Sequence, residues 1–352
     1  MKSILKWILI LKSLAAVYSL EPFTIFAAGS AVTSLFIATV SIFNNRREPP
    51  SPSSSSSPPP TPLPPPTRDD ECSEEYFKDG ISYLKQDLDT NVFGQDFAIE
   101  LIAYVVRSHF NIKYPQAPLV MSFHGPTGTG KNHVSKRVAE TLFKNGIHSK
   151  FVHHKIATKE YIRNTKHSLT EFKTELSDFI EKKSKLCERS LFIIDEVESM
   201  PEGLTDVLTP FLDYHDKVGD QDYRKSIFIF LSSVGADMLI DRFVNHYKNE
   251  KTRETVPLKD MANLIPTIAY NSPGGFKNSK IISKALISAY VPFLPLERKH
   301  VKQCAEKELR KCNAEFNNFT TESIANQLIY DPNNYYSTQG CKTIPSKVGI
   351  YC

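Results

Sequence analysis

The chain has 352 residues, 41% of them hydrophobic and 23% charged, with a formal net charge of +4. That length allows two to three domains with a sizeable core, and the composition excludes both a disordered chain and a polytopic membrane protein. The positive charge is mild and scattered, which excludes a nucleic-acid partner.

Residues 1–20 pair Lys2 with an apolar run from Ile4 to Leu20 and read as a signal peptide or as part of a signal anchor. A second run, Phe23 to Phe43, carries no charge and closes on Arg46 and Arg47, so 21–48 is expected to associate with a membrane. If the first run is cleaved, the second must lie in the lumenal leaflet or turn back. If it is not, Lys2, Lys6 and Lys12 stay cytosolic and the second run becomes a signal anchor. Both topologies place the remainder in the lumen of the endoplasmic reticulum. Pro49 to Pro66 holds ten prolines and six serines, and 49–70 reads as an extended spacer.

From residue 71 the pattern becomes globular. Helices are expected over Glu74–Leu88, Gln95–Phe110 and Asn132–Phe143, and strands over Pro118–Phe123, Phe151–His154, Leu191–Ile194 and Ile227–Leu231. Apolar strands alternating with helices predict an α/β fold, a parallel sheet with helices on both faces. After about Val291 the pattern is helical, Glu297–Lys311 and Thr321–Leu328. This divides the chain into a large α/β domain, 71–290, whose loops the next motifs make nucleotide-binding, and a small C-terminal helical lid, 291–352.

Gly125, Pro126, Thr127, Gly128, Thr129, Gly130, Lys131 and Asn132 form G-x-x-x-x-G-K-N between an expected strand and an expected helix. Such a loop turns successive N–H groups into one concavity for phosphate, and Lys131 can reach the β and γ phosphates. Leu191–Ile194 then runs into Asp195 and Glu196 at the carboxyl end of a buried strand, where ligands of open α/β sheets bind. Asp195 is expected to hold Mg²⁺ and Glu196 to orient the attacking water of ATP hydrolysis. Asn132 replaces the usual hydroxyl residue at the metal, which predicts a weaker metal grip and slow turnover. None of the six cysteines sits in a C-x-x-C pair, and six allow 15 pairings, among which spacing does not choose. Asn318 begins the sequon Asn318-Phe319-Thr320 between the two lid helices, a candidate glycosylation site in a lumenal protein.

The motifs G-P-T-G-T-G-K-N, L-F-I-I-D-E-V-E-S-M-P-E-G-L, P-F-L-D-Y, F-I-F-L-S-S-V-G-A, V-P-F-L-P-L-E and G-C-K-T follow one another as in the torsins, lumenal AAA+ ATPases, and the chain resembles that family from about Glu71 onward. The resemblance implies an AAA+ ATPase of the endoplasmic reticulum and nuclear envelope, membrane-associated and homo- or hetero-oligomeric. It also implies slow turnover alone, with an arginine finger supplied by a membrane-anchored activator of the lamina-associated polypeptide type, whose lumenal domain is AAA-like. Chaperone-like remodelling of proteins or membrane-linked assemblies would follow. The alternative is a nucleotide-gated binding module with little hydrolysis. Cys304 and Cys341 match a family pair beside the nucleotide that can form a redox-active disulfide, Lys342 matches the sensor that reads the phosphates from the lid, and Cys72 and Cys187 match a second pair. Cys312 and Cys352 are left over. Ser233 stands where torsins carry the asparagine that positions water, and Arg242 lies near where an internal finger could sit. Tyr161, flanked by Lys159, Glu160, Ile162 and Arg163, is a poor pore-loop aromatic.

Overall fold

The computed structural model describes Cys72, residues 74–161 and residues 168–352; the expected leader, membrane-associating segment and spacer lie outside the described residues. Five strands, β1 (Leu119–His124), β2 (Val152–Ile156), β3 (Leu191–Asp195), β4 (Ile227–Ser232) and β5 (Ala289–Pro292), form one sheet in the order β2-β3-β4-β1-β5. Every neighbouring pair is parallel. Because strand side chains alternate between faces, the unbroken apolar runs supply two cores. Met121, Phe123, Ile193, Ile229 and Leu231 face one side, and Val120, Phe192, Ile194, Phe228 and Phe230 the other.

Helices α1 (Glu74–Asn91), α2 (Asp96–Asn111) and α3 (Lys131–Leu142) bury Leu84, Leu88, Ile102, Val106, Val134 and Val138 against the first face. On the second, α4 (Leu169–Ser184) inserts Phe172, Leu176 and Ile180. Beyond β4, α5 (Ala236–Lys248) packs Leu239 and Phe243 on Met261 of α6 (Leu258–Asn271). The lid consists of α7 (Arg298–Lys311), α8 (Asn318–Ala325) and α9 (Ile344–Val348) around their own core of Val301, Ala305, Leu309, Ile324 and Ile344.

Three disulfides are present: Cys72–Cys187, Cys304–Cys341 and Cys312–Cys352. The third pairs the two cysteines that the resemblance left over, and two of the three staple the lid, whose core is too small to be very stable alone.

Several elements differ from expectation. The edge strand β5 was missed: its four residues end in Pro292, which an edge strand tolerates because one side of its ladder is unpaired. Helices α4, α5 and α6 were not placed, although Ser168 and Glu171 form a capping box that announces α4. The second lid helix starts earlier, at Asn318, because the Asn317 side chain accepts from Thr320 N at 3.0 Å and caps it. The sequon asparagine is therefore an exposed first-turn residue, not a loop residue, and its Oδ1 accepts from Lys302 Nζ at 2.6 Å. Among the described residues no helix is long and apolar enough to cross a membrane.

Candidate functional site

β1 and β4 end in register at His124 and Ser232, so the glycine-rich loop leaves the sheet beside the end of β4. Under this junction His124 is fully buried and holds Val234 O through Nδ1 at 2.9 Å and Ser122 Oγ through Nε2 at 2.7 Å. Since Val234 O can only accept, Nδ1 carries the proton and the ring is neutral; burial lowers its pKa to about 4. The loop ends at Lys131, the first residue of α3, whose Nζ donates to Gly125 O at 2.5 Å and Pro126 O at 2.9 Å. Burial lowers the Lys131 pKa to about 8, against the opposing charges of Glu198 and Asp195.

Asp195 ends β3. Burial pushes its pKa up, but the donors and charge around it outweigh that and hold it below the usual carboxylate value. Asn132 Nδ2 donates to its Oδ2 at 2.7 Å, its Oδ1 accepts from Glu196 N at 2.9 Å, and His154 Nε2 stands 3.8 Å away, an electrostatic distance. Glu196 takes a left-handed backbone conformation, φ 59°, and its Oε2 accepts from the Thr158 hydroxyl. Such a conformation costs of order 1 kcal/mol and is kept where surroundings enforce it. Glu198 accepts from Ser232 Oγ at 2.9 Å, from Ser233 N at 3.1 Å and from the Ser233 hydroxyl.

The lid closes the opposite side. Cys341 N donates to Gly128 O at 3.1 Å, and a Cβ on Gly128, φ 78°, would stand 1.8 Å from Gln339 O. Only glycine lets the lid loop approach this closely. Lys307 of α7 donates to Asn91 O at 3.0 Å, and burial lowers its pKa to about 8. Gln95 ties the loop to the lid entry: its Nε2 donates to Thr129 O at 3.0 Å and Leu294 O at 2.8 Å, and its Oε1 accepts from Leu294 N at 3.0 Å. Between the two sides lies a cavity of about 430 Å³ lined by Thr127, Lys131, Asp195, Glu196, Ser233 and Lys342, among others. That volume suits a nucleotide-sized ligand.

Two family models match this chain: Torsin over residues 68–194, and the Torsin-1A C-terminal domain over residues 296–351. A Torsin-like protein of Caenorhabditis elegans is 36% identical over 276 residues, which cover 76% of each chain. The chain belongs to the torsin family. Among solved structures, the S. cerevisiae Hsp104–ADP complex aligns with a TM-score of 0.56 at 18% identity, over 78% of this chain and 47% of the Hsp104 chain. Hsp104 with ATPγS and FITC casein in a closed state gives 0.55 at 19%, over 78% and 46%. This torsin spans about half the length of those Hsp104 chains, and the likeness establishes the AAA+ fold. As an AAA+ torsin it is ATPase-like, and nucleotide binding comes with the family.

Gly128, Thr129, Gly130, Lys131, Asn132, Asp195, Glu196, Ser233, Cys304, Cys341 and Lys342 all meet at this torsin's cavity, while Gly125 and Pro126 act behind it through their carbonyls. Asn318 lies apart, on α8. Arg242 is exposed on α5, and Tyr161 is buried edge-on against Phe172. Sequence reasoning missed Glu198, Gln95, Lys307 and Phe93, the last lining the cavity with Lys307 Nζ 5.9 Å from its ring centre. Glu198 had a signal, the third acid of D-E-V-E; Lys307 had none, because only folding brings α7 to the loop.

The donor set fits Mg²⁺. Asp195 offers one carboxylate beside a cavity that takes phosphate, and Mg²⁺ is typically held by one or two carboxylates together with phosphate and water oxygens. Asp195 would hold it, with Asn132 contributing only through Oδ1, since its Nδ2 is already given to Asp195.

Proposed function

We propose that this torsin is a partner-activated ATPase of the endoplasmic reticulum lumen and nuclear envelope that remodels proteins or membrane-linked assemblies. The observation that carries the reading is the convergence of Lys131, Asp195 and Glu196 on one cavity between the sheet edge and the lid. The attacking water's oxygen bonds the γ-phosphorus, the bridging P–O bond breaks with its electron pair leaving on ADP, and Glu196 takes the water's proton. Lys131 neutralises phosphate charge, and Lys342 reaches the phosphates from the lid. Asp195 would hold Mg²⁺, which when bound would supply charge stabilisation at the phosphates. Three disulfides with no free cysteine among the described residues support an oxidising compartment.

The activator is a membrane-anchored protein with an AAA-like lumenal domain that supplies an arginine finger, a contribution worth ~10³- to 10⁵-fold in rate. ATP turnover measured with and without such a domain tests this reading. Stimulation of that order is expected; equal turnover in both would remove the activator from the account. Ser233 in place of asparagine favours a second reading, nucleotide-gated binding with hydrolysis secondary, under which partner binding follows ATP but turnover stays negligible with the activator present.

A further inference from the structure

Glu198 brings a third carboxylate into a cavity that must accept a polyanion. At that position it repels phosphate, so binding alone gives no reason for its charge. Its partners do: Oε1 accepts both the Ser233 N–H, at 3.1 Å, and the Ser233 hydroxyl, while Oε2 accepts from Ser232 Oγ at 2.9 Å. The carboxylate therefore grips the end of β4 at the residue facing the cavity. The turn that carries it is itself fixed from below. A Cβ on Gly274, φ 114°, would stand 2.4 Å from Glu198 O and 2.7 Å from Glu198 Cα, and Gly275 N donates to Val197 O at 3.0 Å. The Gly274–Gly275 pair thus lets the loop after α6 press directly on the Glu198 backbone, setting where the carboxylate points.

We propose that Glu198 is a positioning residue for ATP hydrolysis that acts through Ser233, orienting its hydroxyl as an acceptor for the attacking water. With its hydrogen committed to Glu198, Ser233 Oγ presents only lone pairs to the cavity. It can receive one hydrogen of a water whose other hydrogen faces Glu196. A serine too short to act alone is thereby given a fixed orientation by a longer acid beneath it. The inference rests on the ATPase reading, and its test separates the two.

The test uses the full chain with its activator and reads kcat, KM and ATP affinity for Ser233→Ala, Glu198→Gln, their double variant and Glu196→Gln. Ser233→Ala and Glu198→Gln should each lower kcat roughly 10- to 100-fold, the range for groups that orient a contact residue. ATP affinity should change less than about 2-fold, and the double variant should be no slower than the slower single one. A merely structural Glu198 is distinguished by rescue: in a Ser233→Asn background, whose amide brings its own donor and acceptor, Glu198→Gln should cost less than about 2-fold. Additive losses, a loss that persists in the asparagine background, or an unchanged kcat in Glu198→Gln while Glu196→Gln is inactive would each overturn the role of Glu198. Wild-type turnover in Glu196→Gln would instead overturn the hydrolytic reading and the inference with it. Should Glu198→Gln fail to fold, Gly274→Ala, which pushes the same backbone without touching the carboxylate, should lower kcat with ATP still bound; an unchanged kcat there overturns the inference too.

Discussion

The two sides of the cavity are built differently. The sheet side consists of residues at the ends of parallel strands, held by ladder hydrogen bonds and by two cores, so Asp195, Glu196 and Ser233 inherit the rigidity of the sheet. The lid side rests on a small core; its loop meets the phosphate loop through one backbone hydrogen bond and a close glycine contact, and the Cys304–Cys341 bridge ties that loop to α7. On the proposed function, rigid elements suit the groups assigned to hydrolysis, and a lightly held loop suits a lysine assigned to sense phosphate.

The contrast breaks first at Lys131. Lys131→Ala should weaken ATP binding by at least about 10- to 100-fold, the value of a charged hydrogen-bonded contact, with little change in melting temperature. Isothermal titration beside a thermal melt checks this, and a fold lost together with affinity would mean that the lysine is structural. Next in size is the seam. Gly128→Ala forces a side chain into a left-handed position and against Gln339 O, so it should destabilise the lid by about 1–3 kcal/mol and weaken nucleotide binding while leaving the sheet intact. Hydrogen exchange should show lost protection confined to residues after about 296; uniform loss would deny that the two sides are separate.

The division also explains what the sequence made legible. The sheet side was readable because each strand is a continuous apolar run and because Gly125–Lys131 and Asp195–Glu196 are local motifs whose chemistry needs no tertiary partner. The lid side was not. Cys304 and Cys341 are 37 residues apart, and their pairing was visible only through family resemblance; the packing of Gly340 on Gly128 and of Lys307 beside Phe93 depends on the closed fold. Strand β5 escaped because its four residues merge into a proline-bracketed lid entry, and Glu198 escaped because one acid two residues after Glu196 looks like a solvated turn.

A further effect concerns redox state. The Cys304–Cys341 bridge fixes the loop that carries Lys342 against α7, so reducing it should loosen Lys342 and change ATP and ADP affinity, as should Cys304→Ser; the lid should lose ~2–4 kcal/mol. Affinities that stay constant while only the melting temperature moves would leave the bridge a staple and nothing more. The last effect is that of pH, and it touches both sides. His124 under the sheet side and His300 under the lid side each use one ring nitrogen as acceptor, and burial lowers their pKa values to about 4 and about 3. The unfolded chain therefore binds protons first as pH falls below about 6.5, and stability should decline from pH 6.5 toward 4 by up to about 1.4 kcal/mol per pH unit for each histidine. Denaturant melts across that range test it, and replacing either histidine with glutamine should flatten the slope.

The account's central claim is that Glu196 performs hydrolysis at a site that binds ATP without it. The direct measurement is single-turnover hydrolysis and ATP affinity of Glu196→Gln beside wild type, both with the activator domain. The account predicts ATP bound within a few-fold of wild type and hydrolysis slowed by ~10²-fold or more, the usual contribution of a positioned base. Equal hydrolysis rates, or loss of ATP binding in the variant, would contradict it.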